Sequence, residues 1–136
     1  MRSPSIDGAM LSAERCRALL SQHTFGRVGL SIDALPVVLP VHYRFDGERL
    51  VIRAEPGRKL CVALRGAVVC FEIDGPGDAT SSGWCVLVTG VAEQLASAAR
   101  SFAIGIDRIT GLGLSGGPGA SEGHGPTDGC ALTVGA

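Results

Sequence analysis

The sequence predicts a mainly β fold: an antiparallel six-stranded barrel with one leading helix and one short inserted helix. Three observations carry this. Apolar residues recur at every second position in several short runs between Arg27 and Thr110. Turn formers, above all Asp46-Gly47, separate those runs at hairpin spacing. Ahead of them lies one segment with helical periodicity and a helix-start signal. Short strands joined by tight turns favour an antiparallel barrel, because parallel strands need long crossovers.

The elements follow in order. Residues 1–10 read as a flexible leader. Ser12 is placed as a helix N-cap, with Glu14 in the first turn where the dipole favours negative charge. Leu11 and Cys16 have the spacing of a hydrophobic staple. Cys16, Leu19 and Leu20 recur at i, i+3, i+4, so a helix from about Ser12 to Gln22 lays one stripe on a core. Gly26 marks the exit, and Arg27 to Ser31 is a short strand. Asp33-Ala34 stands where a two-residue turn would fall, but Ala is a poor choice at positive φ, which points to a longer or different turn. Val37, Leu39, Val41, Tyr43 and Phe45 then form one apolar face of a long strand. Leu50 to Ala54 returns after Asp46-Gly47, and Pro56-Gly57 ends it. Arg58 to Leu64 fits a short helix. Ala67 to Ile73 is a strand and Asp74 to Gly83 a loop. Trp84 to Gln94 is a long strand with Gly90 as a candidate bulge. Ala96 to Ser101 leaves room for one helical turn, and Phe102 to Thr110 is the last strand. Eight of the fifteen residues from Ser115 to Gly129 are Gly or Pro, too few apolar groups to offset ordering, so residues 113–136 read as a disordered tail. The barrel domain is residues 11–112.

Composition agrees with one domain. The chain has 136 residues and 46% apolar content, and a chain of this size buries roughly two-thirds of its unfolded surface. A net charge of −1 gives no reason to expect nucleic acid or an anionic membrane as partner. No signal peptide and no apolar run near the ~20 residues of a bilayer span are visible. The five cysteines have no CxxC spacing and sit mostly among apolar residues, as buried free thiols in a reducing cytoplasm would. Metal ligation is not expected.

The candidate chemistry lies in Arg53-Ala54-Glu55-Pro56-Gly57-Arg58-Lys59, with three positive side chains between a strand end and a helix start. Arg offers a bidentate fork and Lys a point charge, both suited to phosphate, as are the free N–H groups of a helix start. On spacing alone, a solvated turn with scattered charges is the more ordinary reading. Pro40 cannot donate to a ladder and so belongs on an edge or at a bulge, with or without a ligand beside it. His42 follows on the same face, with no sequence neighbour that would make it an acid or base. Trp84 opens the long strand and suits either a wall for a ring system or a core anchor. No Ser-His-Asp set, P-loop or paired-carboxylate signature stands out. Glu72 and Asp74 share one side of their strand and read as a solvated strand end.

Together GRVGLS (26–31), PVVLPVHYRFDGERLVIRAEPGRKL (36–60), RGAVVCFEID (65–74) and GWCVLVTGVAE (83–93) resemble the pyridoxamine 5′-phosphate oxidase-like, flavin-binding split-barrel family. ERCRALL (14–20) agrees, with a weaker echo at IGIDRITG (104–111). The resemblance implies a homodimer with flavin mononucleotide (FMN) between subunits and a small-molecule substrate. Leu39, Pro40, Val41 and His42 would lie along the isoalloxazine ring, partly through backbone groups. Arg53, residue Ala54 beside it, and the Arg58-Lys59 pair would surround the phosphate. Trp84 and Cys85 would reach the site from the partner subunit. The family usually has Asn in place of His42 and Thr in place of Ala54, and Ser is common in place of Cys85. A missing hydroxyl at position 54 removes a hydrogen bond typically worth about 1.5–3 kcal/mol when charge-assisted. The C-terminal basic and aromatic motif of authentic pyridoxamine phosphate oxidases is absent, which argues against that substrate. The expectation is an FMN-dependent oxidoreductase. The alternative is a non-catalytic module for flavin, deazaflavin or haem.

Overall fold

A computed structural model describes residues 10–54, 58–77, 82–97 and 100–114. The elements are β1 (Met10–Leu11), α1 (Ala13–Gln22), β2 (Phe25–Ile32), β3 (Leu35–Phe45), β4 (Arg49–Arg53), α2 (Arg58–Leu64), β5 (Val68–Pro76), β6 (Gly83–Gln94), β7 (Ser101–Gly105) and β8 (Arg108–Leu114). All pairings are antiparallel. The order β6-β5-β2-β3-β4-β7 returns to β6, so six strands close a barrel, while β8 and then β1 extend outward from the first half of β6.

The closure depends on β6 changing partner. Its residues Gly83–Thr89 pair with β8, and Ala92–Gln94 pair with β7. The change falls at Gly90, where an added Cβ would collide with the carbonyl oxygen of Gly105. Only glycine allows two backbones so close. The expected last strand is accordingly divided: the chain turns at Ile106–Asp107, between β7 and β8.

Alternation along each strand fills the barrel. Val28 and Leu30 from β2, Leu50 and Ile52 from β4, Phe71 and Ile73 from β5, and Phe102 and Ile104 from β7 are all buried. Each contributes roughly 1.5–3 kcal/mol of transfer free energy. Helix α1 begins as its sequence predicts, with Ser12 Oγ accepting from Arg15 N–H at 3.1 Å, and buries Cys16, Leu19 and Leu20. The Tyr43 hydroxyl donates to the Leu20 carbonyl at 2.7 Å and ties α1 to β3. Burial pushes that phenol up to about 12, so it stays a donor.

Other boundaries differ from expectation, among them Phe25 and Gly26, which already belong to β2, and Ser101, which belongs to β7. Met10 is not leader: Met10–Leu11 pair with Leu112 and Gly111 of β8. Strand β5 runs on to Pro76, because Asp74, Gly75 and Pro76 pair with Cys85, Trp84 and Gly83. Gly113 and Leu114 belong to β8, whereas the rest of the expected tail, 115–136, and leader residues 1–9 lie outside the described residues. The β2–β3 connection is a two-residue turn after all, with Asp33 at φ 52° and Ala34 at φ 65°. The Ile32–Leu35 pair closes the ladder beneath it, and the hairpin outweighs the local cost at Ala34. A left-handed alanine is unfavourable, so Ala34→Gly is expected to raise the unfolding free energy by about 0.5–1 kcal/mol. Urea denaturation measures this, and an unchanged or lower midpoint would contradict a strained turn.

Candidate cofactor site

Strand β3 has eleven residues but two different neighbours. Its first eight, Leu35–His42, pair with β2; on the other edge β4 takes only Tyr43–Phe45. Among the described residues no strand covers the outer edge of 35–42. The two-residue turn sets which groups point there. Tyr43 N–H donates to the Thr24 carbonyl at 2.8 Å, so odd-numbered residues of β3 face β2 with their peptide groups. Even-numbered ones face the open edge: Pro36, Val38, Pro40 and His42. Pro40 thus sits on an edge, as its missing donor requires. Val38 and His42 leave an N–H and a carbonyl available, and the prolines leave carbonyls only.

The side chains divide the other way. Val41 is buried and Leu39 partly buried against the core, while Pro40 and His42 are exposed on the outer face. The His42 ring meets Phe25 edge-on, with centroids 5.0 Å apart. Phe25 is opposite His42 in register, a pairing invisible until the β2–β3 ladder is fixed.

The basic segment flanks this edge. Arg53 ends β4 opposite Ser101 and is exposed. Ala54 is buried, and its N–H donates to the Arg100 carbonyl at 2.8 Å. Neither its side chain nor its amide is therefore available to an anion. Arg58 opens α2, but its side chain, like residues 55–57, lies outside the described residues. Lys59 turns toward the β2–β3 turn, with Nζ 2.6 Å from Asp33 Oδ2. Helix α2 thus links the turn, through Lys59, to the end of β4, where Cys61 Sγ lies 3.9 Å from the Ala54 carbonyl.

Trp84 and Cys85 are not brought to this edge within one chain. They sit on β6, three strands from β3, or about 14 Å at the usual spacing. Trp84 lies flat on Gly75, where an added Cβ would come within 2.5 Å of the indole, and its ring is 5.0 Å from His23. Gly75 and His23 carry no sequence signal, since Gly75 matters only once it is known to face Trp84. Cys85 is buried on the opposite face of β6. Burial, helped by Glu72 and Asp74, pushes its thiol up to about 11, so it is neutral at physiological pH.

Glu72 and Asp74 do lie on one side of β5, but they are more than a strand end. Arg27 Nη1 donates to both carboxylates, at 3.0 Å to Glu72 and 2.9 Å to Asp74. Burial, with Asp74 adding to it and Arg27 opposing, pushes the Glu72 carboxyl up to about 7. The folded state holds that proton more tightly than the unfolded chain, whose carboxyl titrates near 4.5. Stability attributable to Glu72 is therefore lost as pH rises from about 4.5 to 7. Relative to the parent, Glu72→Gln is expected to gain in Tm between pH 4.5 and pH 8; a constant offset across that range would refute the assignment.

Among the described residues no group of three His, Cys, Asp or Glu is placed to hold a metal, and no helix is long and apolar enough to cross a membrane. The family profile of pyridoxamine 5′-phosphate oxidase matches residues 12–110. Uncharacterized protein Rv0080 of Mycobacterium tuberculosis is 32% identical over 90 residues, or 62% of this chain and 59% of that protein, so the match spans under two-thirds of the relative. The FAD binding protein from Mycobacterium smegmatis superposes with a TM-score of 0.69 at 29% identity, over 78% of this chain and 97% of that one. The FAD and heme binding protein from the same organism shares the fold, with a TM-score of 0.64 at 18% identity over 92% of this chain and 78% of that one. Because the profile spans all six barrel strands and α1, the chain belongs to the pyridoxamine 5′-phosphate oxidase-like family.

Proposed function

We propose that the protein is a homodimeric FMN-binding oxidoreductase of the cytoplasm, acting on a small-molecule substrate. The observation that carries this reading is the open edge of β3 over Leu35–His42, flanked by the basic segment that includes Arg53, Arg58 and Lys59. Its free peptide groups suit the hydrogen-bonding edge of an isoalloxazine ring, with Leu39 to His42 alongside. Arg53, Arg58 and Lys59 would hold the phosphate, while Ala54, buried beside them, would give it no contact. The FAD-binding relative at 29% identity supports a flavin. When bound, the flavin supplies the electron-transfer chemistry and the protein orients it. Cys85, as a neutral thiol, brings no charge to the ring system.

The outer sheet face supports a dimer. Phe25, Val38, Val68 and Leu87 project from it on four neighbouring strands, at 50%, 67%, 69% and 39% exposure, and a partner copy would cover them. A partner copy there would also supply Trp84 and Cys85 to a shared site. The four described cysteines are unpaired, which suits a reducing compartment.

A second reading, a non-catalytic module for flavin, deazaflavin or haem, is favoured by Ala54. With its methyl buried and its amide bonded to Arg100, one phosphate anchor usual in the family is missing.

The visible spectrum of the purified protein, with and without added FMN, separates these. A bound flavin reduced by a nicotinamide nucleotide supports the enzyme. A bound but inert flavin supports the module, and a Soret band supports haem. A colourless protein that takes up no cofactor would sink both. Arg58→Ala with Lys59→Ala is expected to weaken FMN binding about tenfold or more while leaving the Tm in place; unchanged affinity would put the phosphate elsewhere. Sedimentation equilibrium is expected to give twice the monomer mass, and a monomer at micromolar concentration would exclude the shared site.

A further inference from the structure

We infer that Asp33 competes with the ligand's phosphate for Lys59, and so sets how strongly the protein prefers a phosphorylated flavin over its unphosphorylated counterpart. This rests on the reading of Lys59 as a phosphate ligand. The observation behind it is the pair itself: Lys59 Nζ lies 2.6 Å from Asp33 Oδ2, and both side chains are 72% exposed. The lysine assigned to the ligand is thus already held by a carboxylate of the same chain.

The two partners are mounted differently. Asp33 stands on a two-residue turn with both residues at positive φ, whose backbone is fixed by the Ile32–Leu35 pair. Lys59 stands at the second position of α2 and reaches the turn through a long flexible stem. The carboxylate is therefore the stationary member and the ammonium the one free to change partner. Asp33 has no second cation among the described ion pairs, whereas the other described acid cluster, Glu72 with Asp74, is served by Arg27.

The magnitudes favour exchange over permanent occupation. A fully hydrated lysine–carboxylate pair shifts an equilibrium by about fivefold at most. A phosphate monoester carries about −1.5 to −2 charges at neutral pH and presents three acceptor oxygens, against one charge on Asp33. FMN therefore takes Lys59 from Asp33, but loses the strength of that pair in doing so. The loss falls only on ligands that carry phosphate, because a flavin without it leaves the pair intact. It also leaves a freed carboxylate close to the incoming phosphate, and the two repel.

Asp33→Asn removes the charge and keeps the turn, since Asn tolerates positive φ. Binding is read from the quenching of flavin fluorescence, with FMN and riboflavin as ligands, in the parent, Asp33→Asn, Lys59→Ala and the double variant. Asp33→Asn is expected to tighten FMN about two- to fivefold, leave riboflavin unchanged, and lose most of its effect in the Lys59→Ala background. An unchanged or weakened FMN affinity would overturn the inference. So would an equal gain for both ligands, or a gain that persists without Lys59. If Lys59→Ala itself leaves the preference for FMN over riboflavin unaltered, the phosphate role of Lys59 fails first and the competition with it. If Lys59→Ala reduces that preference and Asp33→Asn changes nothing, only the competition fails.

Discussion

The close approach of Gly90 to the Gly105 carbonyl is the constraint from which the site follows. Because β6 can leave β8 there and continue along β7, the barrel closes through β7. Strand β4 then needs to span only from Tyr43–Phe45 of β3 to β7. It has no residues left to cover the first two-thirds of β3. The open edge is thus a product of barrel closure, and it lies where the chain leaves β4 for α2. Any side chain at position 90 would push β6 and β7 apart, and the edge would lose the frame that holds it open.

Charge is arranged around this frame with none inside it. Among the described residues no charged side chain is buried, the buried Tyr43 hydroxyl is bonded to the Leu20 carbonyl, and no buried side-chain nitrogen or oxygen lacks a partner. The barrel interior is a packing device. The polar chemistry sits on its surface, in the Arg27–Glu72–Asp74 set of the outer face and in Lys59 and Asp33 at the edge.

Local patterns were legible wherever one periodicity dominated. The α1 cap at Ser12, the alternation of Val37 to Phe45, the Asp46-Gly47 hairpin and the edge position of Pro40 each follow from a single residue type or period. Misreadings arose where distant chain decided the outcome. Ala34 argues against a two-residue turn, but eight ladder pairs behind it impose one. Asp74 to Pro76 look like loop, yet β6 pairs with all three. Of the candidate site, the basic segment and the His42 strand were visible in sequence. The partners Asp33, Phe25, His23 and Gly75 were not, because each acquires its role only through register or tertiary approach.

The two prolines on the open edge have a consequence of their own. A bare strand edge is a template on which any extended chain can add itself, the usual route to unwanted fibres. Pro36 and Pro40 remove two of the four outward donors, and the two that remain, on Val38 and His42, are a four-residue step apart. A visiting strand needs a donor at every second residue and meets only half of them. A small rigid molecule that asks for one or two hydrogen bonds meets no such shortage. The same pair of imino acids therefore guards the protein against aggregation and leaves its edge usable.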